Sequence, residues 1–356
     1  PSRSVHGDAD KLARRLVRNN SRVSIEEAYT FRCGDEALLG IGAFGVVRRA
    51  VHKTTGIERA VKCIDKKAVR DPSMLSREVE ALRLVDHPHV CRLVEYFETP
   101  RYLWLVTELC HGEELCHRLL ERPAVLSEPE VAHYMVQMLR AALHCHRSQV
   151  VHRDLKPDNF LFRGAEGRRG GDTLTLIDFG FSVPGTLASR ADATPKASPR
   201  TADDYAVMYM SPQGLNGDAP SYSDDVWSLG VIFYNLLTRQ FPFSTNDDQR
   251  FQELCSRGQL RSDVEEHLVT LKASPPAADL AARLLAYDAA DRITLEDALQ
   301  HPFLALAAGG AADGARPQAR LAPEELCERL SRFAKACRLC RITKAAMVQL
   351  IDGTLE

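Results

Sequence analysis

The run His152-Arg153-Asp154-Leu155-Lys156-Pro157-Asp158-Asn159 and, further on, Asp178-Phe179-Gly180 place carboxylates, a carboxamide and an ammonium at short spacing. Metal-assisted phosphoryl transfer needs hard oxygen ligands for the cation and a carboxylate that orients the incoming hydroxyl in line. Asp154 suits the hydroxyl, and Asn159 and Asp178 suit magnesium. Lys156, two residues beyond Asp154, suits a point charge against the transferring group. The bland alternative is a pair of charged loops, and the order of the motifs weighs against it.

Upstream, Gly40-Ile41-Gly42-Ala43-Phe44-Gly45-Val46-Val47 lacks side chains where backbone N–H groups could approach phosphate oxygens. A dinucleotide site would need a helix directly after the last glycine. Strand-like residues and a turn follow instead, which favours a hairpin lying over phosphates. By itself the motif fits a ligand-free glycine-rich turn equally well. Lys62, in Ala60-Val61-Lys62, alternates inward on a strand, where an ammonium is costly to bury unless it meets an anion. Glu78, in Arg77-Glu78-Val79-Glu80, is a carboxylate that could orient it. Singly, each reads as a solvated surface charge, and spacing does not pair them.

The scaffold for these groups is bounded by 356 residues, room for about two ordinary domains or one large two-lobed one. Apolar residues at 45% and charged residues at 26% indicate a folded globular chain. A net charge of −2 gives no global reason to expect nucleic acid or an anionic membrane as partner. Ten scattered cysteines read as free thiols in a reducing compartment, which points to the cytoplasm. No stretch is apolar enough to span a bilayer and the start has no signal-peptide core. The start lacks Met and reads as trimmed, leaving membrane association through an absent N-terminus open. Residues 1–30 read as a polar extension whose basic run Lys11 to Arg18 carries Leu12, Leu16 and Val17. Short apolar alternations with turns then predict a small β-rich lobe with one helix near Ser76 to Val85. Helical periodicity predicts a larger helical lobe from Cys110. Arg163 to Gly171, Val183 to Asp204 and Ala307 to Gln318 have linker composition.

Together, the glycine loop, Lys62, Glu78, His152 to Asn159 and Asp178 to Gly180 resemble the signature set of eukaryotic protein kinases, over Phe31 to Leu304. The resemblance implies an α+β, two-lobed fold. A small antiparallel β-sheet lobe with one main helix (31–109) would sit against a larger, mostly helical lobe (110–304). Lys156 resembles serine/threonine rather than tyrosine kinases. Asn159-Phe160-Leu161-Phe162 resembles the calcium/calmodulin-dependent group. After a linker (305–322), the tail (323–356), with Arg332-Phe333-Ala334-Lys335 and Lys344-Ala345-Ala346, is similar to the junction helix of apicomplexan and plant calcium-dependent protein kinases. In that family the junction blocks the active site until calcium-loaded EF-hands remove it.

Position by position, the resemblance implies that Gly40, Gly42 and Gly45 cover the phosphates of ATP while Val47, Ala60 and Leu161 sandwich the adenine. Glu108 to Cys110 would be the hinge, Thr107 the gatekeeper and Glu114 the ribose contact. Lys62, Glu78, Asp154 and Lys156 would be catalytic, with Mg²⁺, or Mn²⁺ as a substitute, on Asn159 and Asp178. Glu113 stands where relatives often have glycine. Two adjacent carboxylates there would favour protein substrates with an upstream basic residue. Asn235 replaces an acidic residue that strongly basophilic kinases use for a second arginine, so one basic position is expected rather than two.

The departures bear on activity. Where relatives have Gly-Thr-Pro-x-Tyr-x-Ala-Pro-Glu, this chain has Tyr205-Ala206-Val207-Met208-Tyr209-Met210-Ser211-Pro212-Gln213. Ala206 lacks a hydroxyl for Asp154 and Lys156, and Gln213 lacks the carboxylate for Arg292. A buried arginine stripped of its partner costs about 3–5 kcal/mol. A glutamine oxygen still accepts one hydrogen bond, so a weakened tie and slow catalysis are expected. Thr194-Pro195 and Ser198-Pro199 are equally an insertion or phosphosites facing Arg153. The basic amphipathic tail either packs on its own domain or is captured by calmodulin or an EF-hand domain. Cys337 and Cys340 read as thiols rather than zinc ligands. No EF-hand loop is present, so calcium would act only indirectly.

The reading is a serine/threonine protein kinase regulated by calcium through its tail. The rivals are a nucleotide-binding pseudokinase scaffold and a calmodulin-binding regulatory protein.

Overall fold

A computed structural model of the chain describes residues 17–20, 23–31, 37–42, 45–69, 71–121, 125–164, 167, 171–184, 205–242 and 260–309. Segment 185–204 with Thr194 and Ser198, most of the 305–322 linker and the whole 323–356 tail lie outside them.

Seven strands build the amino-terminal lobe: β1 (Arg18–Asn19), β2 (Tyr29–Phe31), β3 (Leu38–Gly42), β4 (Gly45–His52), β5 (Glu58–Asp65), β6 (Leu93–Glu98) and β7 (Tyr102–Glu108). Their spatial order is β1-β6-β7-β5-β4-β2, with β3 also paired to β4. All pairings are antiparallel except that of β1, which runs parallel to β6 with Arg18 opposite Glu95. The sheet thus begins before residue 31. Val17, Ile25 and Tyr29 are buried, and apolar side chains with a core to enter draw the polar chain around them onto the sheet. A four-residue helix, α1 (Ile25–Ala28), leads into β2.

The β4–β5 turn closes on Gly56, whose φ of +67° a glycine accepts without strain. Helix α2 (Ser73–Leu84) starts beside Asp71, which accepts from the Ser73 N–H at 2.9 Å and pairs with Arg77 at 2.6 Å. Its buried residues Leu75, Arg77, Glu78, Val79, Ala81 and Leu82 include two charged ones, Arg77 and Glu78.

In the second lobe, α3 (Leu115–Glu121) is followed by α4 (Glu128–Arg147), which a Ser127/Glu130 capping box and a proline in the first turn initiate. Val131, Met135, Met138, Leu139 and Ala142 form its buried face. Four short strands follow: β8 (Val150–Val151), β9 (Phe160–Phe162), β10 (Leu174–Leu176) and β11 (Val183–Pro184), pairing as β8 with β11 and β9 with β10. Then come α5 (Pro212–Asn216), α6 (Tyr222–Thr238), α7 (Leu260–Thr270), α8 (Pro275–Leu284), α9 (Leu295–Leu299) and a 3₁₀ segment, Pro302–Gly309. Helix α6 is apolar nearly all round and is the lobe's central element. At Gly230 a Cβ would come within 2.9 Å of Leu284 and Leu285, so glycine sets the distance between α6 and α8.

Residues 87–91 join the lobes: the Leu176 N–H donates to His89 O at 2.9 Å and the Cys91 N–H to Leu176 O at 2.8 Å. The two-lobed α+β fold agrees with expectation. Cys63, Cys91, Cys110, Cys116 and Cys145 are free thiols. No described helix is long and apolar enough to cross a membrane.

Candidate active site

Alternation on β5 puts Ala60 and Lys62 on one face, opposite Thr107 and Leu105 of β7 and, for Lys62, Val47 of β4. Lys62 Nζ lies 2.7 Å from Glu78 Oε1 and 2.7 Å from Asp178 Oδ1. Lys62 and Glu78, which spacing did not pair, are thus an ion pair, and Asp178 completes a triad drawn from β5, α2 and the β10–β11 connection.

Burial pulls the Lys62 ammonium down, but Asp178 and Glu78 outweigh it and hold its pKa above the usual lysine range. Burial pushes Asp178 up, and Lys62 more than reverses this, holding it at about 2. Glu78 goes the other way: burial lifts it above the usual carboxylate range, with Lys62 opposing and the Asp178 charge adding to the lift. One ammonium between two carboxylates stabilises one of them fully. We assign the firm ion pair to Lys62 and Asp178.

The β8–β9 connection carries the second group. Lys156 Nζ donates to Asp154 Oδ2 at 2.8 Å, and Asn159 Nδ2 donates to Asp154 O at 2.6 Å and to its Oδ2 at 3.0 Å. Arg153 and Asp178 hold φ of +68° and +59°, conformations that cost a non-glycine residue about 1–3 kcal/mol each. Several anchors hold the backbone there. Asp225, buried on α6, accepts the His152 and Arg153 N–H groups at 2.9 Å each and His146 Nε2 at 2.8 Å. Burial raises the Asp225 pKa, and the His146 and His152 contacts bring it below the carboxylate norm. The Ile177 N–H donates to Asn159 O at 2.8 Å, tying the two loops together. Phe179 is buried edge-on to His152 at 4.9 Å between ring centres.

Asp225 and His146 escaped the sequence reading. The signal was an acid directly before the apolar run Val226 to Leu237, where a buried carboxylate implies partners.

The donor set fits a hard cation. Asp178 Oδ1 is taken by Lys62 and the Gly180 N–H, which leaves Oδ2. Asn159 spends its Nδ2 on Asp154, which leaves its carboxamide oxygen.

Val47, Ala60, Thr107, Cys110, Glu114 and Leu161 are all half-buried, as a slot for a planar ligand requires. Thr107 Oγ1 donates back to Ala60 O at 3.5 Å. A bridge from Glu114 to Leu161 fixes the chain after Cys110 against β9. The Glu108 carboxylate accepts from the Arg92 N–H and from Arg163, both at 3.2 Å. Gly45 is required by packing as much as by any ligand, since a Cβ would fall 2.0 Å from Cys63 O. Gly40 borders open space, and Gly42 pairs with Gly45 across β3 and β4.

Glu113 and Glu114 do not form a free acidic pair. Glu113 accepts from Arg118 Nε at 2.9 Å and lies 2.6 Å from His117 Nδ1. Burial pushes its pKa up, but these two partners hold it below normal. Asn235 is fully buried and donates to Gln240 O at 3.2 Å.

Gln213 does keep its arginine: Arg292 Nη2 donates to Gln213 Oε1 at 2.5 Å, and Gln213 Nε2 donates to Tyr287 O at 2.9 Å. Ala206 is buried in the 3₁₀ turn Tyr205–Tyr209 and has no hydroxyl to offer Asp154 and Lys156.

A sequence profile of the protein kinase domain matches residues 34–304. The chain is 32% identical over 306 residues to serine/threonine-protein kinase 33 of Mus musculus, covering 85% of this chain and 59% of that protein. It is 33% identical over 302 residues to calcium-dependent protein kinase 4 of Plasmodium berghei (strain Anka), covering 83% and 53%. With serine/threonine-protein kinase PLK4 of Danio rerio the figures are 34% over 270 residues, 75% and 26%. The chain thus spans little more than half, or less, of the length of these relatives. Kinases of different groups match about equally well, so the comparisons do not single out the calcium-dependent group.

Proposed function

Because the chain belongs to the protein kinase domain family, we propose that it transfers the γ-phosphoryl group of ATP to serine or threonine hydroxyls of proteins. The observation that carries this is the convergence of Lys62, Glu78 and Asp178 at 2.7 Å beside the Asp154, Lys156 and Asn159 cluster. In this reading Lys62, oriented by Glu78, holds the α and β phosphates. Asp154 orients the acceptor hydroxyl, and Lys156 stays against the transferring group. Bound at Asp178 and Asn159, magnesium would supply Lewis-acid neutralisation of phosphate charge. Most of the barrier reduction comes from positioning and fixed charge. Val47, Ala60 and Leu161 enclose the adenine, Thr107 to Cys110 line its edge, Glu114 meets the ribose and Gly40, Gly42 and Gly45 cover the phosphates.

Glu113 is engaged by Arg118 at 2.9 Å and lies 2.6 Å from His117, which weakens the acidic pair at the cleft mouth. A single, modest preference for an upstream basic residue follows. A nucleotide-binding scaffold without transfer is disfavoured by the intact charged centre. Restraint by the tail, relieved by calmodulin or an EF-hand domain, draws support from similarity to calcium-dependent protein kinase 4 and stays a proposal.

The test is transfer from Mg²⁺-ATP to a basic serine peptide by the full chain, a version ending at Leu304 and an Asp178→Ala control. Transfer that vanishes in the control supports the kinase reading, and a rise on truncation supports restraint by the tail. Nucleotide binding with no transfer from either version would establish the scaffold reading instead.

A further inference from the structure

A groove of about 390 Å³ lies between α4, α9 and His87, which stands just before the connection between the lobes. His87, Arg140, His144 and Arg147 line it, and Glu296 is the one carboxylate among its lining residues. None of these belongs to the charged centre around Lys62, Asp154 and Asp178.

Both imidazoles spend a lone pair on the backbone. The His89 N–H donates to His87 Nδ1 at 3.1 Å and the Asp86 N–H to His144 Nε2 at 2.9 Å, and the two rings stack at 5.1 Å between centres. In a neutral ring the other nitrogen then carries the proton, so the network assigns N–H groups to His87 Nε2 and His144 Nδ1. Neither has a partner among the described residues. Burial favours the neutral rings. It takes the His87 pKa down to about 4, with His144, His89 and Arg140 adding to the fall, and it lowers that of His144, where Asp86 opposes and Arg147 adds.

Arg140 is exposed, and its guanidinium makes no ion pair or hydrogen bond with any described residue. Arg147 lies 3.3 Å from Glu296, an exposed pair of the kind that contributes little and yields to a competing anion. The groove therefore offers protons and positive charge rather than lone pairs, which selects an anion over a metal ion.

We propose that this groove binds a phosphate group, with His87 Nε2, His144 Nδ1 and Arg140 donating to its oxygens and Arg147 shared between it and Glu296. Two guanidinium charges and donors from separate elements match a tetrahedral dianion better than a planar carboxylate. A water occupies about 30 Å³ in the liquid, so the groove has room for more than the bare anion. The phosphate is therefore expected as a monoester, its carrier against Leu143 and Leu299. The site stands whether or not the chain transfers phosphate.

The test is titration of the full chain, carrying ¹³C-labelled histidine, with O-phosphoserine and separately with inorganic phosphate. The ring signals of His87 and His144 are assigned through His87→Gln and His144→Gln. Saturable shifts of both are expected, at lower concentration for phosphoserine, and equal affinities would uphold the site while assigning it to free phosphate. Arg140→Gln, an exposed change, is expected to weaken this binding about tenfold, equivalent to roughly 1.4 kcal/mol. Glu296→Gln, which removes the carboxylate, is expected to strengthen it. Rings that do not respond to either ligand would overturn the proposal. So would binding that Arg140→Gln leaves unchanged in a protein that melts as the parent does.

Discussion

Two buried cations in this molecule are held in opposite ways. Lys62 meets two carboxylates at 2.7 Å, whereas Arg292 meets neutral oxygens: Gln213 Oε1 at 2.5 Å, Ala286 O at 2.8 Å, Ser223 O at 2.9 Å and Tyr287 O at 3.1 Å. Burial lowers both. Lys62 is lifted back above normal by its acids, while Arg292 falls to about 10 because Asp224 and Asp288 oppose burial only in part. Formal charge is thus concentrated where a cation and phosphates would be handled. At the anchor, oriented acceptors suffice to satisfy a planar guanidinium. The tie expected to weaken at Gln213 is distributed over backbone carbonyls instead.

The comparison breaks first at the charged centre. Asp178→Ala removes the proposed metal ligand and the firm partner of Lys62. Peptide phosphorylation is expected to fall by about a thousandfold or more, roughly 4 kcal/mol of transition-state stabilisation. A tenfold loss or less would show that the centre is structural.

At the anchor, Arg292→Met strands the acceptors of Gln213, Ser223 and Tyr287. It should cost about 2–4 kcal/mol of stability in denaturant titration, more than its effect on transfer in the folded fraction.

Acid sensitivity separates the two regions as well. The Asp178 pKa is held at about 2, below its unfolded value, so its stabilising contribution is present above about pH 4 and is lost as pH falls toward 2. Glu78, raised by burial, acts in the opposite sense. Asp178→Asn should therefore flatten the acid side of the stability profile by about 2 kcal/mol, while Gln213, which has no charge to lose, contributes no slope.

The smallest effects come from restoring what the segment lacks. Ala206→Thr should raise transfer two- to tenfold if its hydroxyl reaches Asp154 or Lys156, about one hydrogen bond's worth. Gln213→Glu should change stability at neutral pH by no more than about 1 kcal/mol, because a buried ion pair here would replace contacts already made. A gain of several kcal/mol in thermal unfolding would show that the neutral anchor is a real deficit.

Much of the centre was legible because its contacts are local. Asp154, Lys156 and Asn159 lie within one loop, so the motif carries its own geometry. Glu113, His117 and Arg118 are also local, yet their pairing went unread, although an acid four and five residues before two bases on a helix start is a visible signal. The early start of the sheet was hidden because β1 is two residues long and earns its place by pairing, not by pattern.

By itself the sequence determined the order of the motifs, the donor types available to a cation and the two-lobed layout, since ligand chemistry and apolar periodicity are written residue by residue. Only the tertiary structure decided the pairings between distant residues. Lys62 and Asp178 are 116 positions apart, Gln213 and Arg292 are 79 apart, and Asp225 reaches His152 across 73. No local rule links such residues. Whether a buried charge finds an acid, a carbonyl or an amide is settled when the core closes around it and every polar atom must find a partner.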